Sequence, residues 1–316
     1  MSGPQRVVRS HSRRSIATFI EPLEERRLMA ITLSGSVGSG GTNNPSDVRQ
    51  VQQRLRDLNF RAQGGALLVV DGAVGPATIS CIQLYQAAID AEGDGDPDLK
   101  DGRVDPGGFT HAWLNATNSP RWVKLLDPDG AGGQFDIYRG TAQEEVWGTN
   151  WSVDMIKEAC AASAGTEIIT AISTIDGFGS AAWHSTHQAG MDVDVNIDAA
   201  GRVVGSGALT VGEQRVIDDM KAFRNAAPPA FITNIWVGYQ RIVNGFNSQT
   251  GTSLAHLDSG NVHDTHFHVD IKPATRSSTV FASAAAPTAS RTTTAAARPS
   301  VASDVLGTSR QIEALV

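Results

Sequence analysis

The sequence predicts an α+β chain in which a small helical module precedes a larger domain built on a central antiparallel sheet. Three observations predict it. Apolar residues recur at helical spacing early in the chain, strict apolar/polar alternation marks two strands at 191–198 and 266–271, and both chain ends depart from globular composition. A length of 316 residues with 41% hydrophobic content accommodates two cores of ordinary size. The expected boundaries are a segment outside the fold at 1–30, a linker at 31–45, the helical module at 46–118, the larger domain at 119–275 and an unstructured tail at 276–316.

In the helical module, Val48, Val51, Leu55 and Leu58 follow Ser46, the expected N-cap of a first helix. The stretch VDGAVGPATISCIQLYQ (Val70 to Gln86) starts a second helix with Pro76 in its first turn. Gly72 and Gly75 fit the tight turn before it, and Ile79, Ile82 and Tyr85 supply its buried stripe. The aspartate-rich loop EGDGDPDLKDGRVD (Glu92 to Asp105) places Asp94, Asp96, Asp98 and Asp105 at calcium-loop positions. Leu99 stands where such a loop needs glycine and the bidentate glutamate is missing, so a solvated turn is expected. Cys81 and Cys160 fall in different modules within apolar helical patterns and read as two buried free thiols.

The larger domain holds the chemistry. HSTHQAGMDVDVNID (His184 to Asp198) and VHDTHFHVDIKP (Val262 to Pro273) contain five of the eight histidines. Met191, Val193, Val195 and Ile197 alternate with Asp192, Asp194, Asn196 and Asp198. Phe267, Val269 and Ile271 alternate with His266, His268 and Asp270, so each strand has one polar face. If the strands are antiparallel neighbours, Asp194 and His268 meet on that face, and Gly190 lets the loop carrying His187 bend back to complete a site. Two imidazoles and one carboxylate suit a borderline-soft divalent ion such as zinc, and three protein ligands leave a fourth position open, the pattern of a catalytic site. The plain alternative is two amphipathic strands whose polar faces meet only water.

These residues carry a resemblance. HxxHQxGMDVDV followed by HDxHFHV is similar to the penicillin-insensitive murein endopeptidases, zinc enzymes that share a fold with the D-alanyl-D-alanine carboxypeptidases and the LytM-like peptidases. VWGTNWSVDMIKEAC (Val146 to Cys160) and the apolar run Ile168 to Ile172 resemble the helix and strand that precede the site in that family. The resemblance implies zinc as cofactor, His187, Asp194 and His268 as metal ligands, and His266 and His263 as second-sphere or catalytic histidines. One departure matters. The carboxypeptidases place a general-base glutamate three residues before the last histidine ligand, and this chain has Thr265 there. The base is then expected to be His266, oriented by Asp264 or His263, because an imidazole titrates near working pH. His184 is expected to brace the loop or touch substrate, and His11, His111 and His256 to be surface or packing residues.

The helical region, from DVRQVQQRLRDLNF to DGRVDPGGFTHAWLN, resembles the three-helix peptidoglycan-binding domain of wall hydrolases, which implies peptidoglycan as both anchor and substrate. FIEPLEERRLMA within residues 1–30 resembles the LEPR-type sorting motif of planctomycete envelope proteins, so export to the cell envelope or periplasm is expected although no secretory apolar run is present. Of the 28 residues from Arg276 to Ser303, 22 are Ala, Ser, Thr or Pro, which reads as a tether, with Val301 to Val316 as a short terminal helix. The ends carry net +3 and +2, so with −7 overall the middle is −12, which argues against nucleic acid as partner. No run of 18 apolar residues exists to span a membrane.

The function these readings imply is zinc-dependent hydrolysis of D-alanyl amide bonds in murein peptides, cleaving cross-links. The alternatives are a D-alanyl-D-alanine carboxypeptidase of the same superfamily or a non-catalytic wall-binding protein. A terminal carboxylate as substrate needs an arginine partner, and neither Arg139 nor Arg202 can be given that duty from sequence.

Overall fold

The computed structural model describes residues 30–90, 100–126, 135–137, 145–163, 167–177, 187–202, 204–226, 232–260 and 262–277. The sorting segment through residue 29, Asp94, Asp96 and Asp98 of the acidic loop, Arg139, His184 and the tail from residue 278 lie outside the described residues. The architecture is α+β, and among the described residues no helix is long and apolar enough to cross a membrane.

The helical module comprises β1 (Val37–Gly38), α1 (Pro45–Asp57), α2 (Pro76–Ile89), β2 (Arg103–Val104) and α3 (Phe109–Leu114), with β1 and β2 paired antiparallel. Val48, Val51, Leu55, Leu58, Ile82 and Tyr85 fill its core, while Ile79 stays half-buried. Helix α1 starts two residues earlier than expected: Asn44 rather than Ser46 is the N-cap and Pro45 occupies the first turn, where its missing N–H costs no hydrogen bond. Residues 31–45 do more than link, since Ile31, Leu33 and Val37 enter this core.

Two DG turns are held in the same way. Gln52 on α1 donates to Asp71 and the Ala73 carbonyl and accepts from the Gly72 N–H; Gln86 on α2 donates to Asp101 and the Arg103 carbonyl and accepts from the Gly102 N–H. Asp101 and Asp105 are thereby occupied in local turn contacts with Gln86 and Arg103.

The larger domain adds β3 (Trp122–Lys124), β4 (Phe135–Ile137), β5 (Trp147–Thr149), α4 (Asn150–Ala162), β6 (Glu167–Ala171), β7 (Asp192–Asn196), α5 (Val211–Ala226), β8 (Ile232–Val237), α6 (Gln240–Thr250), β9 (Ala255–Leu257) and β10 (His266–Ile271). Strands β3 and β5 pair as a small ribbon. Six strands form one sheet in the order β4-β6-β7-β10-β8-β9. Its centre is antiparallel as expected, but the edges are not: β4 runs parallel to β6, and β9 parallel to β8. The apolar residues of β7, β8 and β10, among them Val193, Ile235, Phe267 and Val269, form one core with Ile156 of α4, Ile217 and Phe223 of α5 and Phe246 of α6. Because side chains alternate along a strand, covering this face sends Asp192, Asp194, His266, His268 and Asp270 to the other.

Helix α4 is capped by the Thr149 hydroxyl, which accepts from the Ser152 N–H. Helix α5 opens with a reciprocal box in which Glu213 accepts from the Thr210 N–H and the Thr210 hydroxyl accepts from the Glu213 N–H. The helical module packs directly on the larger domain. Trp122, fully buried, packs at 5.6 Å on Phe60, its backbone N–H donates to Leu58 O, and its indole N–H donates to Ile175 O. Asp176 accepts from the Gly64 N–H at 2.6 Å, and Trp113 meets Trp151 at 5.6 Å. Both cysteines are buried, and neither forms a disulfide.

Candidate metal centre

The register of the sheet places Asp194 directly opposite His268, with Asp192 opposite Asp270 and Asn196 opposite His266. His187 arrives from outside the sheet, on a single 3-10 turn, His187–Ala189, that ends at Gly190. Gly190 has φ +62, a left-handed conformation that L side chains rarely adopt, and a Cβ there would lie 2.5 Å from the Trp122 ring. The chain can therefore turn sharply against Trp122 and enter β7 with His187 facing Asp194.

The three side chains are buried and converge on one oxygen. His187 Nε2 lies 3.4 Å and His268 Nδ1 2.7 Å from Asp194 Oδ1, and the two rings are 5.0 Å apart. Each imidazole is anchored through its other nitrogen: His187 Nδ1–H donates to Ile172 O at 2.6 Å, and His268 Nε2–H donates to Asp270 Oδ1 at 2.8 Å. A tetrahedral zinc with bonds of about 2.0–2.1 Å needs ligand atoms roughly 3.3 Å apart, so the His187–Asp194 spacing fits directly. The shorter His268–Asp194 contact is a hydrogen bond whose proton a metal displaces. Buried, with two imidazole nitrogens and a carboxylate oxygen facing one another, the donor set fits a divalent ion of the zinc class.

Charge is tightly balanced. Burial pushes the Asp194 carboxyl upward, but the charges and hydrogen bonds of His187 and His268 outweigh it and hold it well below the carboxylate range. Burial likewise disfavours charge on the imidazoles. Asp194 nevertheless raises His187, and hydrogen bonds from Asp194 and Asp270 raise His268 to about 10. Burial, reinforced by the neighbouring Asp270 and Asp194, lifts Asp192 to about 7 against the opposing pull of His187 and His268. Without a metal, a proton therefore sits between His268 and Asp194 at neutral pH, and metal binding must release it.

His266 and His263 line one side of this cluster. His266 Nε2 is 3.6 Å from Asp194 Oδ1, and the His263 ring lies 4.9 Å from His266 and 5.4 Å from His268. The Asp264 carboxylate lies over Gly238, where a Cβ would meet it at 2.1 Å, while its backbone carbonyl accepts from Tyr239. The carboxylate beside His263 is Asp258, with Oδ2 3.1 Å from Nδ1. Asp258 also accepts the N–H groups of Val262 and His263, which fixes the turn leading into β10. Thr265, at the glutamate position of the carboxypeptidases, is exposed and contacts His266 Nδ1 at 3.4 Å through its hydroxyl.

Other expected residues separate from the cluster. His111 belongs to the helical module, where it links the Gly107 N–H to Ile31 O. Arg202 ties β7 to β10 by donating to Ile197 O, Asn196 Oδ1 and Thr265 O. His256, expected to be a surface or packing residue, packs its ring on Trp236 at 5.0 Å, and the two lie in the same cross-strand row as Asp194 and His268. Sequence reasoning missed Asp270, Asp258 and Trp236. Only Asp270 had a local signal, since it lies two residues from His268 on the same face of a strand.

No family model matches the chain. It is similar to a zinc D-Ala-D-Ala carboxypeptidase from Streptomyces albus G, with 28% identity over 184 residues, 54% of this chain and 64% of the relative. The chain thus spans just under two thirds of that relative's length.

Proposed function

We propose that the chain is a zinc peptidase that hydrolyses D-alanyl amide bonds in peptidoglycan peptides, with His187, Asp194 and His268 holding the metal. One observation carries this reading: two imidazoles, each fixed through one nitrogen, present the other to the same oxygen of a buried aspartate. The relative's name supports the metal and the bond class. When bound, zinc supplies Lewis acidity toward a scissile carbonyl and acidifies water.

The protein supplies the proton transfers. His266, 15% exposed and bordering Asp194, takes the proton of the attacking water and returns it to the leaving amine. His263, with Asp258 at its Nδ1, packs against His266 and restricts its ring. No serine takes part, so no acyl-enzyme forms and β-lactams do not inactivate the protein.

The motif resemblance favours cross-link cleavage, whereas the relative's name favours removal of a terminal D-alanine. The helical module binds the wall and brings the domain to its substrate, and the chain acts in the cell envelope. Purified murein digested with the full chain and analysed by mass spectrometry tests all of this. Released monomers from cross-linked dimers mark an endopeptidase, loss of a single alanine marks a carboxypeptidase, and both cease with a zinc chelator. Intact murein after digestion by zinc-loaded protein, with pull-down on murein retained, leaves a wall-binding protein only.

A further inference from the structure

On the polar face of the sheet, β10 carries His266, His268 and Asp270 in one line, and β7 and β8 flank that line. Asp270 is opposite Asp192 on one side and Asn234 on the other. Both of its oxygens accept hydrogen bonds. Oδ1 accepts from His268 Nε2–H at 2.8 Å, and Oδ2 accepts from Asn234 Nδ2 at 2.9 Å and from the Trp236 indole at 3.0 Å. Three donors on two strands thus fix one carboxylate in position and orientation.

A neutral imidazole carries one proton, and only the nitrogen without it can bind a metal. We propose that Asp270, clamped by Trp236 and Asn234, is a positioning residue that keeps the proton of His268 on Nε2 and so turns the Nδ1 lone pair toward Asp194 and His187. This rests on the zinc reading above and adds a determinant of metal affinity. The opposite tautomer sets the Nε2 lone pair against the Asp270 carboxylate and places a proton on Nδ1, where the metal belongs.

A different role for Asp270 is conceivable on distance alone, because Asp192, His268 and Asp270 also group closely enough to share a cation through Nε2. That grouping is the looser one, with Asp192 Oδ1 3.9 Å from His268 Nε2, whereas Asp194 Oδ1 lies 2.7 Å and 3.4 Å from two imidazole nitrogens. The two roles also differ in what they need: His187 belongs to the first site and not to the second.

The test is the zinc dissociation constant of the full chain, measured by competition with a chromophoric chelator, for wild type, Asp270→Asn, Asp270→Ala, Trp236→Phe and His187→Ala. Losing such a carboxylate partner costs about 10–100-fold in metal affinity. Asp270→Ala should show that loss, and Asp270→Asn, whose amide oxygen still accepts, should recover part of it. Trp236→Phe should weaken binding by less than Asp270→Ala, and His187→Ala should abolish it. The His268 Nε2 proton should be seen by NMR in zinc-loaded wild type and exchange rapidly in Asp270→Ala, a change that a purely structural role would not produce. Zinc affinity unchanged in both Asp270 variants overturns the inference and leaves the zinc reading intact. Zinc bound by His187→Ala but lost in Asp270→Ala overturns it in favour of the site on Nε2. Wild-type protein that binds no zinc overturns the reading and the inference together.

Discussion

Gly190→Ala isolates the turn that delivers His187. The substitution places a Cβ residue at φ +62, which costs about 1–2 kcal/mol in the left-handed region. The new Cβ would lie 2.5 and 2.6 Å from two Trp122 ring carbons and 2.7 Å from the Gly148 Cα. Relaxed carbon contacts are about 3.5–4.0 Å, so the overlap is roughly 1 Å. Trp122 has no room to retreat, being fully buried, hydrogen-bonded to Ile175 O and packed on Phe60. Overpacking of this kind costs about 1–3 kcal/mol, which brings the total to roughly 2–5 kcal/mol. The strain also reaches the site. The Gly190 N–H donates to His187 O, and the Gly190 carbonyl accepts from the Thr149 N–H and the Ser152 hydroxyl. Urea unfolding of the metal-free protein, followed by tryptophan fluorescence, should show the lost stability, and a zinc titration of the folded variant should show weaker binding. An unfolding free energy within about 0.5 kcal/mol of wild type, the range of a neutral surface change, with unchanged zinc affinity would refute the reasoning.

Two further outcomes follow from particular contacts. Arg241, opposed by burial and helped by the Thr210 N–H, holds the buried Glu213 carboxyl at about 2 against an ordinary value of 4.5. Its folded pKa is depressed, so its contribution of about 3 kcal/mol is present above pH 4.5 and is lost as the pH falls toward 2. Glu213→Gln should be less stable than wild type at pH 7, and the gap in urea midpoint should narrow by pH 3; a constant gap across that range would show that the carboxylate is not responsible. His266→Ala should keep its zinc and lose about 10²–10⁴-fold in kcat on murein, together with the acidic limb of the pH–rate profile. Retention of that limb would assign the base elsewhere.

Much of the site was legible because a strand has a period of two. Alternation over 192–196 and 266–270 separated the polar faces, and the register then set Asp194 against His268. The same rule places Asp270 beside His268 and was available from sequence alone. Asp258 was not: it reaches His263 through a turn whose shape depends on its own acceptance of the Val262 and His263 N–H groups. The Trp236–His256 row depends on the parallel pairing of β8 with β9, a strand of three residues with too little pattern to declare its direction.

The helical module shows the same division. The stripe of α1 was plain, and the first turn of α2 was marked by Pro76. The entry of Ile31, Leu33 and Val37 into the core was hidden because isolated apolar residues among glycines and serines have no period. The contacts of Trp122 with Leu58 and of Asp176 with Gly64 cross the expected 118/119 boundary and are tertiary, so no local pattern announces them. The Thr210–Glu213 box at the start of α5 was readable from its three-residue spacing.

The central claim is that one divalent ion sits among His187, Asp194 and His268, and zinc content by elemental mass spectrometry tests it most directly. After equilibration with zinc and dialysis, the protein should retain about one zinc per chain, and folded Asp194→Ala should retain nearly none, as expected for a site that loses one of three protein ligands. Equal zinc in the two proteins would contradict the account.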